Sequence, residues 1–156
     1  MCGIAGVFVT QSANQNLELK PVVSRMIAAI RHRGPDDSGV LEGNGIALGH
    51  ARLSIIDLSA AGHQPMVSDD GRLRIVFNGE IYNFKELRSE LAKAGYHFHS
   101  HTDTEVILNG YHHWGAEIFG RLRGMFAIAI WDARSEELTL ARDRIGKKPQ
   151  IGRAHV

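Results

Sequence analysis

The sequence predicts an α+β domain built on mainly antiparallel strands. Three observations carry that prediction. The 156 residues correspond to one domain, since domains run to roughly 100–200 residues. The elements follow in the order strand, helix, strands, helices, strands, with no internal repeat. The strands are short, apolar and separated by glycine-rich turn signals. With 44% hydrophobic residues there is enough apolar material for a core, so disordered and fibrous classes are excluded.

Residues 4–9 form an apolar run broken only by Gly6, too short for a helix and rich in β-branched residues, and read as a buried strand. Behind Pro21, apolar residues Val22, Val23, Met26, Ile27 and Ile30 recur at helical spacing, which predicts an amphipathic helix over 20–30. Residues 31–39 are charged and turn-rich. Strands are expected over 39–42, 46–56 and 73–77, set apart by Gly43-Asn44-Gly45 and Asp70-Gly71, as an antiparallel meander. Asn83 with Glu86, and Thr102 with Glu105, have capping-box spacing ahead of apolar helical patterns, so two further helices start there. Residues 124–131 are apolar at nearly every position, as in a strand covered on both faces, and 137–141 is its expected hairpin partner.

Charge and cysteine content narrow the function. Eighteen Lys+Arg against 17 Asp+Glu leave a net charge of +1. The cations are scattered, so there is no basic face of the kind that binds phosphate backbones, and nucleic acid is not an expected partner. One cysteine allows no internal disulfide and no cysteine-built zinc site, which suits a reducing, cytoplasmic compartment. The longest apolar stretch, 125–131, is far short of the roughly 20 residues of a membrane helix, and no membrane partner is expected.

That cysteine is Cys2. Removal of Met1, which a small second residue permits, would place a free α-amine beside the only thiol. An amine titrating at about 7.7–8.0 next to a thiol at about 8.5 lets one residue serve as nucleophile and proton acceptor. The alternative is a small buried cysteine of no chemical importance. Asn78-Gly79 is a strong hairpin signal, yet only Glu80, Ile81 and Tyr82 separate it from the Asn83 cap, which leaves hardly any returning strand. A side-chain amide beside an unobstructed glycine N–H is instead a pair of neutral donors suited to an oxyanion. Arg52, by strand alternation, can point into a cleft. There it would offer a fork for an amino-acid carboxylate, with Asp103 or Glu80 as the acid for the ammonium. Asp103 could equally be a first-turn carboxylate favoured by the helix dipole. His97, His99 and His101 alternate and would share one face of a strand, but without orienting carboxylates they make a poor metal site, and no metal is expected.

With these residues in hand the chain resembles the glutaminase domain of the class II glutamine amidotransferases, within the N-terminal nucleophile hydrolases. The motifs are Met-Cys-Gly-Ile at the start, Arg31-His32-Arg33-Gly34-Pro35-Asp36, His50-Ala51-Arg52-Leu53-Ser54-Ile55, Gln64-Pro65, Asn78-Gly79-Glu80-Ile81-Tyr82-Asn83, Asp103-Thr104-Glu105-Val106-Ile107 and Asp143-Arg144-Ile145-Gly146. The Arg-Gly-Pro-Asp form is most similar to the asparagine synthetase branch. The resemblance implies a four-layer α-β-β-α sandwich of two mainly antiparallel sheets, truncated at its C-terminus. It implies Cys2 as nucleophile and Asn78 and Gly79 as oxyanion donors. It further implies a glutamine site made by Arg52, Leu53, Ser54, Ile55, Ile56, Asn78, Gly79, Glu80 and Asp103. The implied reaction is glutamine hydrolysis through a Cys2 thioester, with ammonia passed to a second active site.

No glycine-rich pyrophosphate loop occurs here, so ATP and magnesium are expected only for a missing C-terminal synthetase domain, and no cofactor for residues 1–149. Glutamine and that synthetase domain are the implied partners, and a homodimer is left open. Two other readings stay in view: delivery of ammonia to another acceptor, a sugar or a modified amino acid, and a non-catalytic module binding glutamine or a partner. Residues 150–156 match one translation frame of a common sequencing-adapter oligonucleotide and read as a non-native tail.

Overall fold

The computed structural model describes residues 2–9 and 18–153. Met1, and with it the expected N-terminal processing, lies outside the described residues, as do the last three residues of the expected tail.

The chain enters through β1 (Gly3–Phe8), crosses to α1 (Leu19–Ala29), and returns as the hairpin β2 (Asp37–Gly43) and β3 (Ile46–Arg52). These strands form an antiparallel sheet in the order β1-β3-β2. Odd-numbered Ala47 and Ala51 of β3 face α1, packing with Leu19, Val23 and Ile27. Even-numbered Ile46 and Leu48 face the other way. That period-two split gives the sheet its two buried sides.

The second sheet has the order β4-β5-β6-β7, from β4 (Met66–Val67), β5 (Leu73–Ile81), β6 (Gly124–Asp132) and β7 (Glu137–Arg142). All of its pairings are antiparallel. On its outer side lie α2 (Phe84–Lys93) and α3 (Asp103–Trp114), with the short α4 (Ile118–Arg121) beyond. Leu73, Ile75, Phe77 and Ile81 of β5 pack there with Leu87, Leu91, Val106 and Ile107. On the inner side Val76, Ala129 and Trp131 meet Ile46 and Leu48, which closes the two sheets face to face. The layers run α1, three strands, four strands, α2 with α3. This is the expected α-β-β-α sandwich. No helix of the described residues is long and apolar enough to cross a membrane.

Several local expectations need correction. The meander is divided, because β5 joins β6 rather than continuing from β3. The strand expected over 46–56 ends at Arg52, level with the first residues of antiparallel β1 and β2, beyond which no strand remains to pair with. Asn83 precedes α2 but does not cap it with its side chain. Its amide instead accepts from Arg123 N–H at 2.9 Å and donates to Arg121 O at 3.0 Å, tying the helix start to the approach to β6. Thr102 does cap α3, accepting from Glu105 N–H. The reciprocal arm is missing, since the Glu105 carboxylate takes the N–H groups of His99 and Ser100. His97, His99 and His101 lie on a loop, not a strand, and His99 bonds Asp69.

Candidate active site

Cys2 sits one residue ahead of β1, and Gly3 is in register with Ala51, so Cys2 comes opposite Arg52 at the end of β3. Ile4, two residues on, packs between the sheets, which puts Cys2 on the same inner face by alternation. The sulfur is held by residue 53: Leu53 N–H donates to Cys2 Sγ at 3.4 Å, and Sγ lies 3.6 Å from Leu53 O.

The Arg31–Arg33 turn and the two residues after Gly34 brace this end. Arg33 Nε donates to Cys2 O at 3.2 Å, and Asp36 Oδ2 accepts from Ser54 N–H at 2.8 Å. Gly34 lies so close to the Ala51–Arg52 backbone that a Cβ would overlap it, which explains glycine at that position. Sequence reading gave these residues no role beyond their motif. Their partners are distant in sequence, and only the fold brings them together.

Arg52 is buried, and its guanidinium reaches the loop that follows β3. Nη1 donates to Ser59 O at 2.9 Å and Nη2 to Asp57 O. Those bonds use two of the five donors of the fork. Asp57 fixes the same loop, with hydrogen bonds from Ser59 and from His101 N–H holding its carboxylate down at about 2. An open cleft of ≈ 590 Å³ is lined here by Asp36, Asp37, Arg52, Ser54, Leu58 and Ser59, among others. Ile55 and Ile56 are exposed beside it.

Across the sandwich, Asn78 and Gly79 lie inside β5, not at a turn. Tyr82 N–H donates to Arg123 O and Ala133 N–H to Arg72 O, so the even-numbered residues of β5 bond β6. The odd-numbered residues turn their N–H groups to the opposite edge. Along that edge Ile75 pairs with β4, Phe77 N–H donates to Gln64 Oε1 at 2.7 Å, and Ile81 N–H donates to Asp103 Oδ2 at 3.0 Å. Gly79 N–H falls between them, and no described residue accepts it. A Cβ on Gly79 would collide with the Met125 carbonyl and stand 2.8 Å from Phe126 Cα, so β6 approaches too closely for any side chain. The Asn78 side chain is on the inner face with Val76, 6% exposed, and no described residue hydrogen-bonds its amide.

Asp103 begins α3 and is buried, and burial pushes its carboxyl up to about 6 against the pull of the Ile81 N–H, with the charge of Glu80 adding to the rise. Glu80 itself is exposed. Strand register and the contact between His50 and Phe77 set Cys2, Arg52, Asn78 and Gly79 toward one end of the sandwich, with Asp103 held at the adjoining edge of β5 by Ile81 N–H. Two buried residues, His50 and Gln64, stand in motifs quoted from the sequence but received no role there.

The whole described chain falls within one family model, that of the glutamine amidotransferase domain, which matches residues 1–153. The chain belongs to that family. This amidotransferase domain is 44% identical over 149 residues to asparagine synthetase [glutamine-hydrolyzing] 1 of Bacillus subtilis, covering 96% of the chain and 23% of that protein. It is 39% identical to asparagine synthetase [glutamine-hydrolyzing] 3 of the same organism, again over 96% of the chain and 24% of the relative. Amidase chry2 of Gibberella zeae is 37% identical over 95% of the chain and 23% of its own length. The domain thus spans about a quarter of the curated relatives it matches. Among solved structures, the glutamine phosphoribosylpyrophosphate amidotransferase of B. subtilis shares the fold at a TM-score of 0.73, with 19% identity over 90% of this chain and 37% of that one.

Proposed function

We propose that this domain hydrolyses the side-chain amide of glutamine to glutamate and ammonia through a thioester on Cys2. The observation that carries the reading is the Gly79 N–H on the open edge of β5, which no described residue accepts, with the Asn78 amide beside it, likewise unbonded among the described residues, toward the end of the sandwich where Cys2 lies.

Once Met1 is removed, the Cys2 α-amine takes the thiol proton and the thiolate attacks the amide carbon of glutamine. The carbonyl oxygen becomes an oxyanion facing Gly79 N–H and Asn78 Nδ2, two neutral donors held on a paired strand. Collapse breaks the carbon–nitrogen bond as the α-ammonium returns its proton to the amide nitrogen, which leaves as ammonia. Water then attacks the thioester, giving glutamate and the free thiol through a second oxyanion at the same donors. Arg52 takes the substrate carboxylate with the donors its loop leaves unused, and Asp103 with Glu80 takes the ammonium. Leu53, Ser54, Ile55 and Ile56 form the wall beside the sulfur.

The ammonia acceptor belongs to the remaining length of such proteins. We infer aspartate, activated with ATP and magnesium in a synthetase portion, because the asparagine synthetases of B. subtilis match over nearly the entire chain. Chry2, named an amidase and matched over a similar span, favours keeping a different acceptor as the second reading. The test is glutamate release from glutamine by the parent domain and by Cys2→Ala. The reading expects turnover in the first and none in the second, and equal rates would refute it.

A further inference from the structure

His50 is the most deeply buried titratable side chain near the site, at 0% exposure, and the chemistry proposed above does not use it. It lies on the inner face of β3, opposite Ile4 and two residues before Arg52. Its Nε2 is 3.1 Å from Phe77 O, while Nδ1 has no partner among the described residues. A carbonyl only accepts, so the proton must be on Nε2. A neutral ring then leaves Nδ1 as a bare lone pair. Burial favours that form, holding the imidazolium down to a pKa of about 4.

The other half of the same peptide edge is held as well. Phe77 N–H donates to Gln64 Oε1, and Gln64 Nε2 donates to Thr104 Oγ1 at 3.1 Å on α3. In the β4–β5 register Met66 is opposite Ile75, so residue 64 would come opposite Phe77. The strand has ended there. A side-chain amide from one sheet's edge and an imidazole from the other sheet stand in for the missing backbone partner.

Phe77 C=O and Asn78 N–H belong to one planar peptide, so fixing that carbonyl sets the direction in which Asn78 leaves the strand and, through it, the following Gly79 N–H. An oxyanion donor must lie within about 2.7–3.1 Å of a charge that exists only in the transition state, and a small tilt of an unpaired edge carbonyl would miss it. We propose that His50 and Gln64 are positioning residues that clamp Phe77 and thereby aim the Asn78 and Gly79 donors at the reacting carbonyl. This rests on the glutaminase reading. It adds a requirement for a neutral, Nε2-protonated His50.

The test pairs His50→Leu, which fills the site without a donor, with His50→Gln, whose amide nitrogen can reach the same carbonyl. In His50→Leu, kcat for glutamine hydrolysis should fall about tenfold or more with KM within twofold, since only the transition state uses the donors. His50→Gln should recover most of that loss. Affinity for an aldehyde analogue of glutamine, whose adduct with Cys2 is tetrahedral, should fall in step with kcat. A folded His50→Leu protein with parental kcat and parental aldehyde affinity would overturn the clamp while leaving the glutaminase reading intact. A parent domain that neither hydrolyses glutamine nor binds the aldehyde would overturn that reading. Should His50→Leu fail to fold, nitrogen-15 NMR of the unaltered protein decides: Nε2–H coupled to the Phe77 carbonyl is expected, and a bare Nε2 at neutral pH overturns the proposal.

Discussion

The Leu53 N–H points at the sulfur of Cys2 from 3.4 Å, across 51 residues of sequence. The contact exists because β3 ends at Arg52, leaving the next amide without a strand neighbour at the place where β1 begins. A backbone donor released from a sheet thus becomes a partner for the thiol.

Replacing Cys2 by Ala should abolish glutamine hydrolysis and leave the fold intact, since a small side chain leaves little cavity. Cys2→Ser should retain only a trace, because a hydroxyl is a poor nucleophile at neutral pH. Glutamate release and a circular dichroism melt of each variant check both halves.

Arg52→Lys exchanges a fork for a point charge. Loss of a charge-assisted hydrogen bond of about 1.5–3 kcal/mol predicts roughly ten- to a hundredfold weaker glutamine binding in calorimetry. The loop should loosen too, because the guanidinium donates to Asp57 O and Ser59 O. Faster amide exchange over residues 57–62 is therefore expected, and unchanged exchange with unchanged affinity would remove Arg52 from the site.

Gly79→Ala forces a Cβ against the Met125 carbonyl and to 2.7 Å from Phe77 Cε2. Overpacking of this kind costs about 1–3 kcal/mol, so the melting temperature should fall by several degrees. The shift of β5 from β6 should lower kcat further than the lost stability alone would, measured well below the new midpoint.

Acid should weaken glutamine binding through Asp103. Its carboxyl is raised to about 6 by burial, so it is mostly ionised at pH 7 and protonated below pH 6, when it no longer pairs with an ammonium. Affinity should decline as pH falls through that value, approaching about tenfold per unit well below it. Asp103→Asn should be weak and flat across the same range.

Stability carries an imprint of its own from His50, again a loss toward acid. Its folded pKa of about 4 lies below the ordinary 6.5, so between those values the unfolded chain binds the extra proton and stability falls as pH drops. Denaturant titrations at pH 7 and pH 5 should show a smaller loss for His50→Gln than for the parent.

Much of this was legible in the sequence because the deciding signals are local. A thiol at position two, an Asn-Gly pair with no room for a hairpin, and a capped helix beginning at Asp103 need no tertiary knowledge. The illegible parts depend on where strands stop. Residues 53–56 carry a strand pattern, yet they leave the sheet because β1 and β2 offer nothing to pair with beyond Arg52. The Phe77 clamp joins side chains 13 and 27 residues away from it, a separation at which no periodicity speaks. Asn83 reads as a cap by spacing and instead meets Arg121 and Arg123, which only the arrival of β6 beside β5 makes available.

The proposed reaction passes through a covalent bond between Cys2 and the glutamyl group of the substrate. Rapid acid quenching of the domain with glutamine, followed by peptide mass mapping, tests it most directly. One added glutamyl group is expected on the N-terminal peptide, on a Cys2 that has lost Met1, and none in Cys2→Ala. Steady glutamate production with no adduct on Cys2, or an adduct on any other residue, would contradict it.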